Sequence, residues 1–139
     1  KEHHQSFVER NVECVFELYS PHPMVMGSRD KLKQVFLNLI LNARDAMPEG
    51  GKLTFSARTH DKLVRILIRD TGTGIVPEIL PKIFDAFFTT KKEVSGVGLG
   101  LSVSYGIVQQ HTGTISVSST IGEGTTFTIE LPVIKENNV

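Results

Sequence analysis

The alternation of apolar and polar positions predicts strands along much of the chain. These strands run Val12 to Leu18, Met24 to Met26, Leu53 to Ala57, Leu63 to Ile68, Thr114 to Ser118 and Thr125 to Leu131. A polar turn at 60–61 and a glycine turn at 121–124 join two pairs of them into hairpins.

A helical period replaces the alternation after Met26. The helix is expected to begin at a cap, Ser28 or Asp30, and to reach about Met47, where a Pro-Glu-Gly-Gly turn at 48–51 stops it. Its apolar stripe is expected to consist of Leu37, Leu39 or Ile40, Leu41 and Ala43.

Two further helices are expected downstream. A short one opens at Val76-Pro77-Glu78, with the proline in its first turn, and a longer one runs from Leu99 to Gln110. Because the helices interrupt the strands, this order predicts one mixed sheet covered by helices on one face. The fold class is therefore an α/β (α+β) two-layer sandwich.

The segment 85–98 has no sustained period and predicts a long polar loop. Long loops in compact domains are usually functional or disordered. Phe87 and Phe88 interrupt its polar character, either as a plug of the core or as a surface for a partner. We expect residues 1–11 to be a linker or the end of a preceding helical segment, 12–134 to be one domain, and 135–139 to be a tail.

The composition limits the class of protein but does not by itself indicate a function. The 139 residues hold 15 Lys+Arg and 15 Asp+Glu, a formal net charge of +0, so the charge balance gives no sign of a nucleic-acid surface. The single cysteine, Cys14, has no internal disulfide partner and favours a reducing compartment, where it is expected to be a small buried apolar residue. The sequence has neither a signal peptide nor an apolar run near 18 residues, so we expect a cytoplasmic module, although the parent protein can be membrane-anchored.

Two asparagines on the first helix are the first chemical signal. Asn38 and Asn42 lie four residues apart, so their side chains stack on one face. Asparagine is a poor residue for a helix interior, which suggests a polar task at a cavity wall. Three glycine-rich segments follow, DTGTGI at 70–75, GVGLGL at 96–101 and GEGTTF at 122–127, and the combination predicts a nucleotide pocket.

The glycine segments do not match two common nucleotide motifs. DTGTGI has the wrong spacing for a dinucleotide fingerprint, and GVGLGL lacks the Lys-Ser/Thr of a P-loop. Instead, glycines let backbone approach a ligand, and a helix that opens near Gly98 can meet phosphate with its amides. Asp70 at the head of the first segment is either a turn aspartate or an acceptor for the amino group of a purine.

The order of these motifs resembles the sensor histidine kinase ATP-binding domain. Its N, G1, F, G2 and G3 boxes are matched by Asn38/Asn42, Asp70-x-Gly72-x-Gly74, the segment 83–88, Gly96-x-Gly98-Leu99-Gly100-Leu101 and Gly122-x-Gly124-Thr125. The resemblance covers about 12–132, and FFTTK at 87–91 with NARDAM at 42–47 is similar to the nitrogen-regulation subgroup. It implies the Bergerat fold shared with gyrase, heat-shock-90 and mismatch-repair ATPases, a mixed, mainly antiparallel sheet.

The resemblance also implies cofactors, ATP and Mg²⁺, and a role for each matched residue. Asn42 would coordinate Mg²⁺ beside Asn38, Asp70 would accept from the adenine amino group, and Gly74 would let the base lie close. Gly98 and Gly100 would place amides on the phosphates, Thr125 or Thr126 would lie near the base, and Phe84 to Gly98 would form a lid. The other residues implied at the site are Arg44, Asp45, Gly72, Ile75, Phe84, Gly96, Leu99 and Leu101.

Two departures from the family pattern bear on the reaction. Many histidine kinases have a phosphate-contacting lysine where this chain has Asp45, so Lys91, or else Lys92 or Arg44, is the candidate cation, and Lys91 joins the two asparagines as the predicted catalytic group. Gyrase-type ATPases carry a glutamate base where this chain has Asn38. An amide cannot take a proton from water, so transfer is favoured over hydrolysis.

The histidines of the chain do not match the phosphoacceptor motif of these kinases. His111, at the end of a helix, is expected to be structural. The implied partners are a histidine-bearing dimerisation domain of the same parent and a response regulator, with a homodimeric parent and a monomeric fragment. The alternatives are a gyrase- or chaperone-like ATPase, a degenerate nucleotide-binding or docking module, and an anti-sigma serine kinase relative.

Overall fold

The computed structural model describes residues 12–18, 27–85 and 97–133, and for Leu18 and residues 97–100 it describes the backbone alone. Within these ranges lie five strands, two α-helices and one short 3₁₀ turn. In chain order they are β1 (Val12–Leu18), α1 (Arg29–Asp45), β2 (Gly51–His60), β3 (Leu63–Asp70), the 3₁₀ turn (Leu80–Lys82), α2 (Val97–Gln110), β4 (Thr114–Thr120) and β5 (Gly124–Pro132).

The five strands form one sheet in the order β1-β2-β3-β5-β4. The β1–β2 pair is parallel, and the other three pairs are antiparallel. The predicted mixed, mainly antiparallel sheet is thus confirmed, as are both hairpins. The predicted strand at Met24 to Met26 and most of the predicted loop lie outside the described residues.

Two boundaries differ from the sequence prediction. The short helix expected from Val76 is a turn followed by the 3₁₀ turn, because the proline at position 81 lies within its first residues and removes an amide donor. The second long helix begins at Val97, two residues before the predicted Leu99. That shift places its glycines inside the first helical turn.

The helices cover one face of the sheet, and the core lies between the two layers. Side chains on strands alternate between faces, and the buried members of β3 and β5 show which face is covered. Those of β3 are Val64, Ile66, Ile68 and Asp70, and those of β5 are Thr125, Phe127, Ile129 and Leu131. Position 70 of β3 and position 125 of β5 are polar members of this apolar face.

The buried stripe of α1 differs from the predicted one. Ser28 caps the helix, since its side chain accepts from the amide of Lys31 at 3.3 Å. The buried residues of α1 repeat every four positions, at Val35, Leu39 and Ala43, and Met47 continues the series just after the helix. Leu39 and Ala43 were predicted, whereas Leu37 and Leu41 are only half-buried. They lie on the flank because successive residues of a helix point 100° apart, and the four-residue series faces the core.

Cys14 lies on the edge strand β1 and is half-buried against the core rather than fully buried. Burial raises the pKa of its thiol, so the side chain is an uncharged apolar group at neutral pH. This agrees with the expected packing role. Among the described strands β1 lies at the edge of the sheet, so none of them covers its outer side.

His111 joins the end of α2 to the beginning of α1. Its Nε2 accepts from the amide of Ser28 at 3.0 Å, and its Nδ1 donates to the carbonyl of Ile107 at 2.8 Å. A Cβ at Gly27 would lie 2.0 Å from the imidazole ring, so a larger residue there would displace the histidine from this position. The structural role expected for this histidine is therefore confirmed, as a neutral ring with the proton on Nδ1.

Candidate functional site

Three polar side chains form a row across the helix-covered face of the sheet. Asp70 of β3 pairs with Thr125 of β5, which pairs in turn with Ser119 of β4. The preceding row on the same face is apolar, with Ile68 beside Phe127. The polar row therefore lies where the core ends, and we refer to Asp70, Thr125 and Ser119 as the polar row.

The two carboxylate oxygens of Asp70 have different surroundings. Oδ1 accepts from the amide of Gly72 at 2.8 Å and from the amide of Thr125 at 3.3 Å. The bond to the residue two positions on closes the turn, as the turn interpretation required. Among the described residues, no donor reaches Oδ2, which is the oxygen that the ligand interpretation required. The two interpretations of Asp70 are therefore compatible.

Burial dominates the electrostatics of this carboxyl group. Asp70 is 4% exposed, and desolvation raises its pKa above the ordinary value, because the charged form loses its water. The bonds from Gly72 and Thr125 act in the opposite direction. The result is a buried acceptor whose charge is only partly compensated by the protein, a frequent property of binding sites.

Hydroxyl groups connect the other two members of the polar row. Ser119 Oγ lies 2.8 Å from Thr125 Oγ1 and 3.0 Å from the carbonyl oxygen of Gly124. The same Ser119 oxygen accepts from the amide of Ile75 at 2.8 Å. Through Ser119, the loop that follows β3 is attached to the β4–β5 hairpin.

The glycines of the loop after β3 allow close packing of backbone against backbone. The amide of Thr73 donates to the carbonyl of Ala46 at 3.1 Å, and a Cβ at Gly72 would lie 2.3 Å from that oxygen. Gly74 has a φ of +82°, and its Cβ would lie 2.5 Å from the carbonyl oxygen of Thr120. The loop is held between the end of α1 and the β4–β5 turn, so these glycines are required by the fold itself.

The two asparagines of α1 have different surroundings. Asn38 Nδ2 donates to Ser104 Oγ at 3.2 Å, and Ser104 is fully buried on α2. Asn42 is half-buried, and no described residue hydrogen-bonds its side chain. Asn38 therefore helps to join the two helices, whereas the Asn42 amide oxygen is available to a cation.

Arg44 and Asp45 form an ion pair at the end of α1. Arg44 Nη2 lies 3.3 Å from Asp45 Oδ1. The family's lysine position is thus occupied by a carboxylate that binds its own neighbour. A phosphate-contacting cation from this segment would have to leave that pair.

The aromatic residue at position 84 belongs to the core edge. The Phe84 ring lies 5.5 Å from that of Tyr105 and 6.2 Å from that of Phe127, both centroid distances. Leu101 of α2 is buried nearby in the same core. Gly98, Leu99 and Gly100 lie in the first turn of α2, as a phosphate-binding helix start would require. Lys91, Lys92, Gly96, Phe87 and Phe88 lie outside the described residues.

A cavity of about 400 Å³ borders the polar row. Part of it extends around the strand ends to the opposite face of the sheet. Its lining residues are Arg69, Asp70, Thr71, Ser118, Ser119, Thr120, Glu123, Gly124, Thr125 and Thr126. Asn38 and Asn42 do not line it, so the structure brings Asp70 and Thr125 together and leaves the asparagines as a separate pair on α1.

Sequence reasoning missed Ser104 and Ser119. Serine is common in strands and turns, so Ser119 carried no signal of its own. Ser104 did carry a signal in the sequence, because it falls three residues after Leu101 and three before Ile107, in the apolar stripe of α2. A polar residue in such a stripe requires a buried partner.

Within the ranges that the structure covers, no group of three His, Cys, Asp or Glu side chains is arranged to hold a metal ion. None of the helices described here is long and apolar enough to cross a membrane.

Comparison with known families identifies the domain. Residues 27–135 match the model of the histidine kinase-, DNA gyrase B- and HSP90-like ATPases. This chain belongs to that ATPase family. The predicted resemblance is confirmed, since the match spans all five motifs from Asn38 to Thr125.

Curated relatives of this ATPase domain are sensor kinases. Sensor kinase CckA of Brucella abortus (strain 2308) is 46% identical over 127 residues, covering 81% of this chain and 13% of that protein. Sensor histidine kinase ZraS of Escherichia coli (strain K12) is 43% identical over 124 residues, covering 89% of this chain and 26% of that protein. The chain thus spans at most about a quarter of the length of these two relatives.

Solved structures of ATPase domains share the fold. The catalytic domain of histidine kinase ThkA is 32% identical, with a TM-score of 0.84 over 93% of this chain and 84% of that one. Full-length ShkA, solved in complex with AMPPNP, is 30% identical, with a TM-score of 0.83 over 94% of this chain and 27% of that one. The two-layer sandwich predicted from the pattern of elements is confirmed by this similarity.

Proposed function

We propose that this chain is the ATP-binding catalytic domain of a two-component sensor histidine kinase. It binds Mg²⁺–ATP and transfers the γ-phosphoryl group to a histidine on a separate dimerisation domain, from which an aspartate of a response regulator takes it. The observation that carries the proposal is the buried Asp70, which has one oxygen bonded to backbone amides and no described donor at the other.

Asp70 recognises the base in this proposal. The amino group of adenine donates to Oδ2, and the carboxylate is held in place because Oδ1 is fixed by two amides. Guanine presents a carbonyl oxygen at the same ring position, so it meets the carboxylate with repulsion. The loop around Gly74, which Ser119 attaches to the β4–β5 hairpin, lies beside the base in this proposal.

Asn42 is the proposed Mg²⁺ ligand. Mg²⁺ is usually held by few protein oxygens together with waters and substrate phosphates, and a neutral amide oxygen on a rigid helix fits that pattern. The described residues offer Asn42 without a competing hydrogen bond, which supports the assignment. When bound, the ion neutralises charge on the phosphates.

The remaining groups position the phosphates and determine which nucleophile can accept the γ-phosphoryl group. The amides of Gly98 and Gly100 at the start of α2 meet the phosphates, and Lys91 supplies the cation that Asp45 does not. Asn38 has no basic site, so water near the γ-phosphate finds no base there, and an external histidine is the nucleophile.

A relative that has been solved together with its partner supports the proposed partners. Histidine kinase ThkA, which is 29% identical over 97% of this chain, has been solved in complex with the response regulator TrrA. We propose the same class of partner for the parent of this chain, together with a homodimeric assembly through the dimerisation domain and a cytosolic location of this domain.

Titration calorimetry tests the binding half of the proposal. The chain should bind ADP, and Mg²⁺–ATP, with micromolar to millimolar affinity, and should bind GDP more weakly. A chain that binds neither adenine nucleotide would be the degenerate module instead. A chain that binds ATP and releases phosphate to water would be an ATPase of the gyrase or chaperone kind.

A further inference from the structure

The Ser119 hydroxyl has three hydrogen-bonding neighbours but only one proton to donate. A serine hydroxyl donates one hydrogen bond and accepts two. The amide of Ile75 occupies one acceptor position. The carbonyl oxygen of Gly124 can only accept, so the 3.0 Å contact uses the proton of Ser119.

This arrangement leaves one assignment for Thr125. The 2.8 Å contact between the two hydroxyl oxygens needs a proton, and Ser119 has already given its own to Gly124. Thr125 therefore donates to Ser119. Its remaining capacity is two lone pairs, so next to Asp70 the threonine acts as an acceptor.

We propose that Ser119 is a specificity-determining residue that fixes Thr125 as a second acceptor beside Asp70. Two acceptors side by side suit the two protons of an exocyclic amino group and disfavour a carbonyl oxygen in its place. Ser119 does not contact the base in this account. It acts by taking the only proton with which Thr125 could have bonded a carbonyl oxygen.

Three observations support a role beyond simple packing. Asp70 and Thr125 are each 4% exposed, so water competes weakly for their hydrogen bonds. Thr125 pairs directly with both Asp70 and Ser119 in the sheet register, which holds the three side chains on one face. All three border the same cavity.

The inference rests on the proposed function, since it concerns the base that the polar row receives. The test is calorimetric titration of the chain with ADP and with IDP. These nucleotides differ only in the edge of the base, where inosine has a carbonyl oxygen and a ring N–H instead of an amino group and a bare nitrogen. The measured quantity is the ratio of the two dissociation constants.

Ser119→Ala should lower the preference for ADP over IDP roughly three- to tenfold, the range expected for one neutral hydrogen bond. Without the serine acceptor, the Thr125 hydroxyl turns and donates to the inosine carbonyl. The lost bond to Ile75 loosens the loop, but this should weaken the binding of ADP and of IDP equally. Ser119→Thr retains a hydroxyl and should retain the preference, and so should the exposed control Ser116→Ala on the same strand.

Thr125→Val provides a second route to the answer if Ser119→Ala does not fold. It should lower the preference by a similar factor, and the double variant should lower it no further. Equal weakening of ADP and IDP in Ser119→Ala, or in Thr125→Val, would overturn the inference while leaving the proposed function intact. A parent chain that binds ADP and IDP equally, or binds neither, would overturn the recognition of adenine by Asp70 and the role of Ser119 with it.

Discussion

At the scale of single residues, Asp70 lowers the stability of the fold at neutral pH, a cost that its proposed recognition of adenine accounts for. Desolvation raises the pKa of the buried carboxyl, so the folded state holds a proton more tightly than the unfolded chain does. The favourable contribution of this group is present at low pH. It is lost as the pH rises from the ordinary value of 3.8 through the raised pKa of the folded state.

Asp70→Asn should separate stability from binding. Asparagine keeps an oxygen for the amides of Gly72 and Thr125 but carries no buried charge, so its free energy of unfolding at pH 7 should equal or exceed that of the parent. Affinity for ADP should fall by roughly 1.5–3 kcal/mol, the worth of a hydrogen bond to a charged group. Urea unfolding and calorimetry measure the two quantities.

The pH dependence provides a control for that variant. The parent should lose stability relative to Asp70→Asn as the pH rises above 3.8, and the difference should level off above the raised pKa. A difference that does not change with pH would contradict the burial argument. Unchanged ADP affinity in the variant would contradict the role of Asp70 in binding.

Asn42→Ala tests the proposal that Asn42 is a ligand of Mg²⁺. Alanine is the better helix former, so the variant should not be less stable than the parent. It should lose affinity for Mg²⁺–ATP yet bind nucleotide in the presence of a chelator as the parent does. Calorimetry with and without Mg²⁺ distinguishes the two conditions, and parental binding of Mg²⁺–ATP by the variant would show that the ligand lies elsewhere.

At the scale of elements, the loop after β3 depends on glycine where it meets α1. In Gly72→Ala the new Cβ would lie 2.3 Å from the Ala46 carbonyl oxygen, so either the loop or the end of the helix must move. We expect this variant to be less stable by more than 1 kcal/mol and to bind ADP weakly. Thermal unfolding and calorimetry are the measurements.

Gly106→Ala is the matched control, since a Cβ at this position of α2 meets no atom within 4 Å. Within a helix, replacing glycine by alanine should stabilise the domain by about 0.5–1 kcal/mol. If both substitutions destabilise equally, the difference between the two glycines does not come from the close approach to Ala46.

Periodicity predicted the elements better than it predicted their contacts. The bounds of α1 and of both hairpins follow from local patterns, since caps and turns depend on neighbouring residues. The stripe of α1 was partly wrong because burial depends on which residues of the sheet and of α2 face the helix. The bond between Asn38 and Ser104 joins residues 66 positions apart, so only folding could show it.

The candidate site was predictable to a similar extent. Asp70 and Thr125 stood out through glycine-rich motifs that resemble a family. Ser119 is fixed by partners in two other segments, the loop at Ile75 and the start of β5 at Gly124 and Thr125, and no local pattern reports such a combination.

At the scale of the whole molecule, the groups proposed to bind the base and those proposed to bind the phosphates lie in different layers of the fold. The polar row lies on the sheet, whereas Asn42 and the glycines of α2 lie on the helices. None of the five histidines resembles a phosphoacceptor, and His111 is engaged by Ser28 and Ile107. The chain by itself should therefore retain no phosphoryl group.

Phosphotransfer from labelled ATP tests the central claim most directly. The chain is incubated with Mg²⁺–ATP, alone and together with the histidine-bearing dimerisation domain of its parent kinase. The account predicts acid-labile label on the added domain, none on the chain alone, and a strong loss of transfer with Asp70→Asn. Stoichiometric acid-labile label on the histidines of the chain, or release of phosphate to water without transfer, would contradict it.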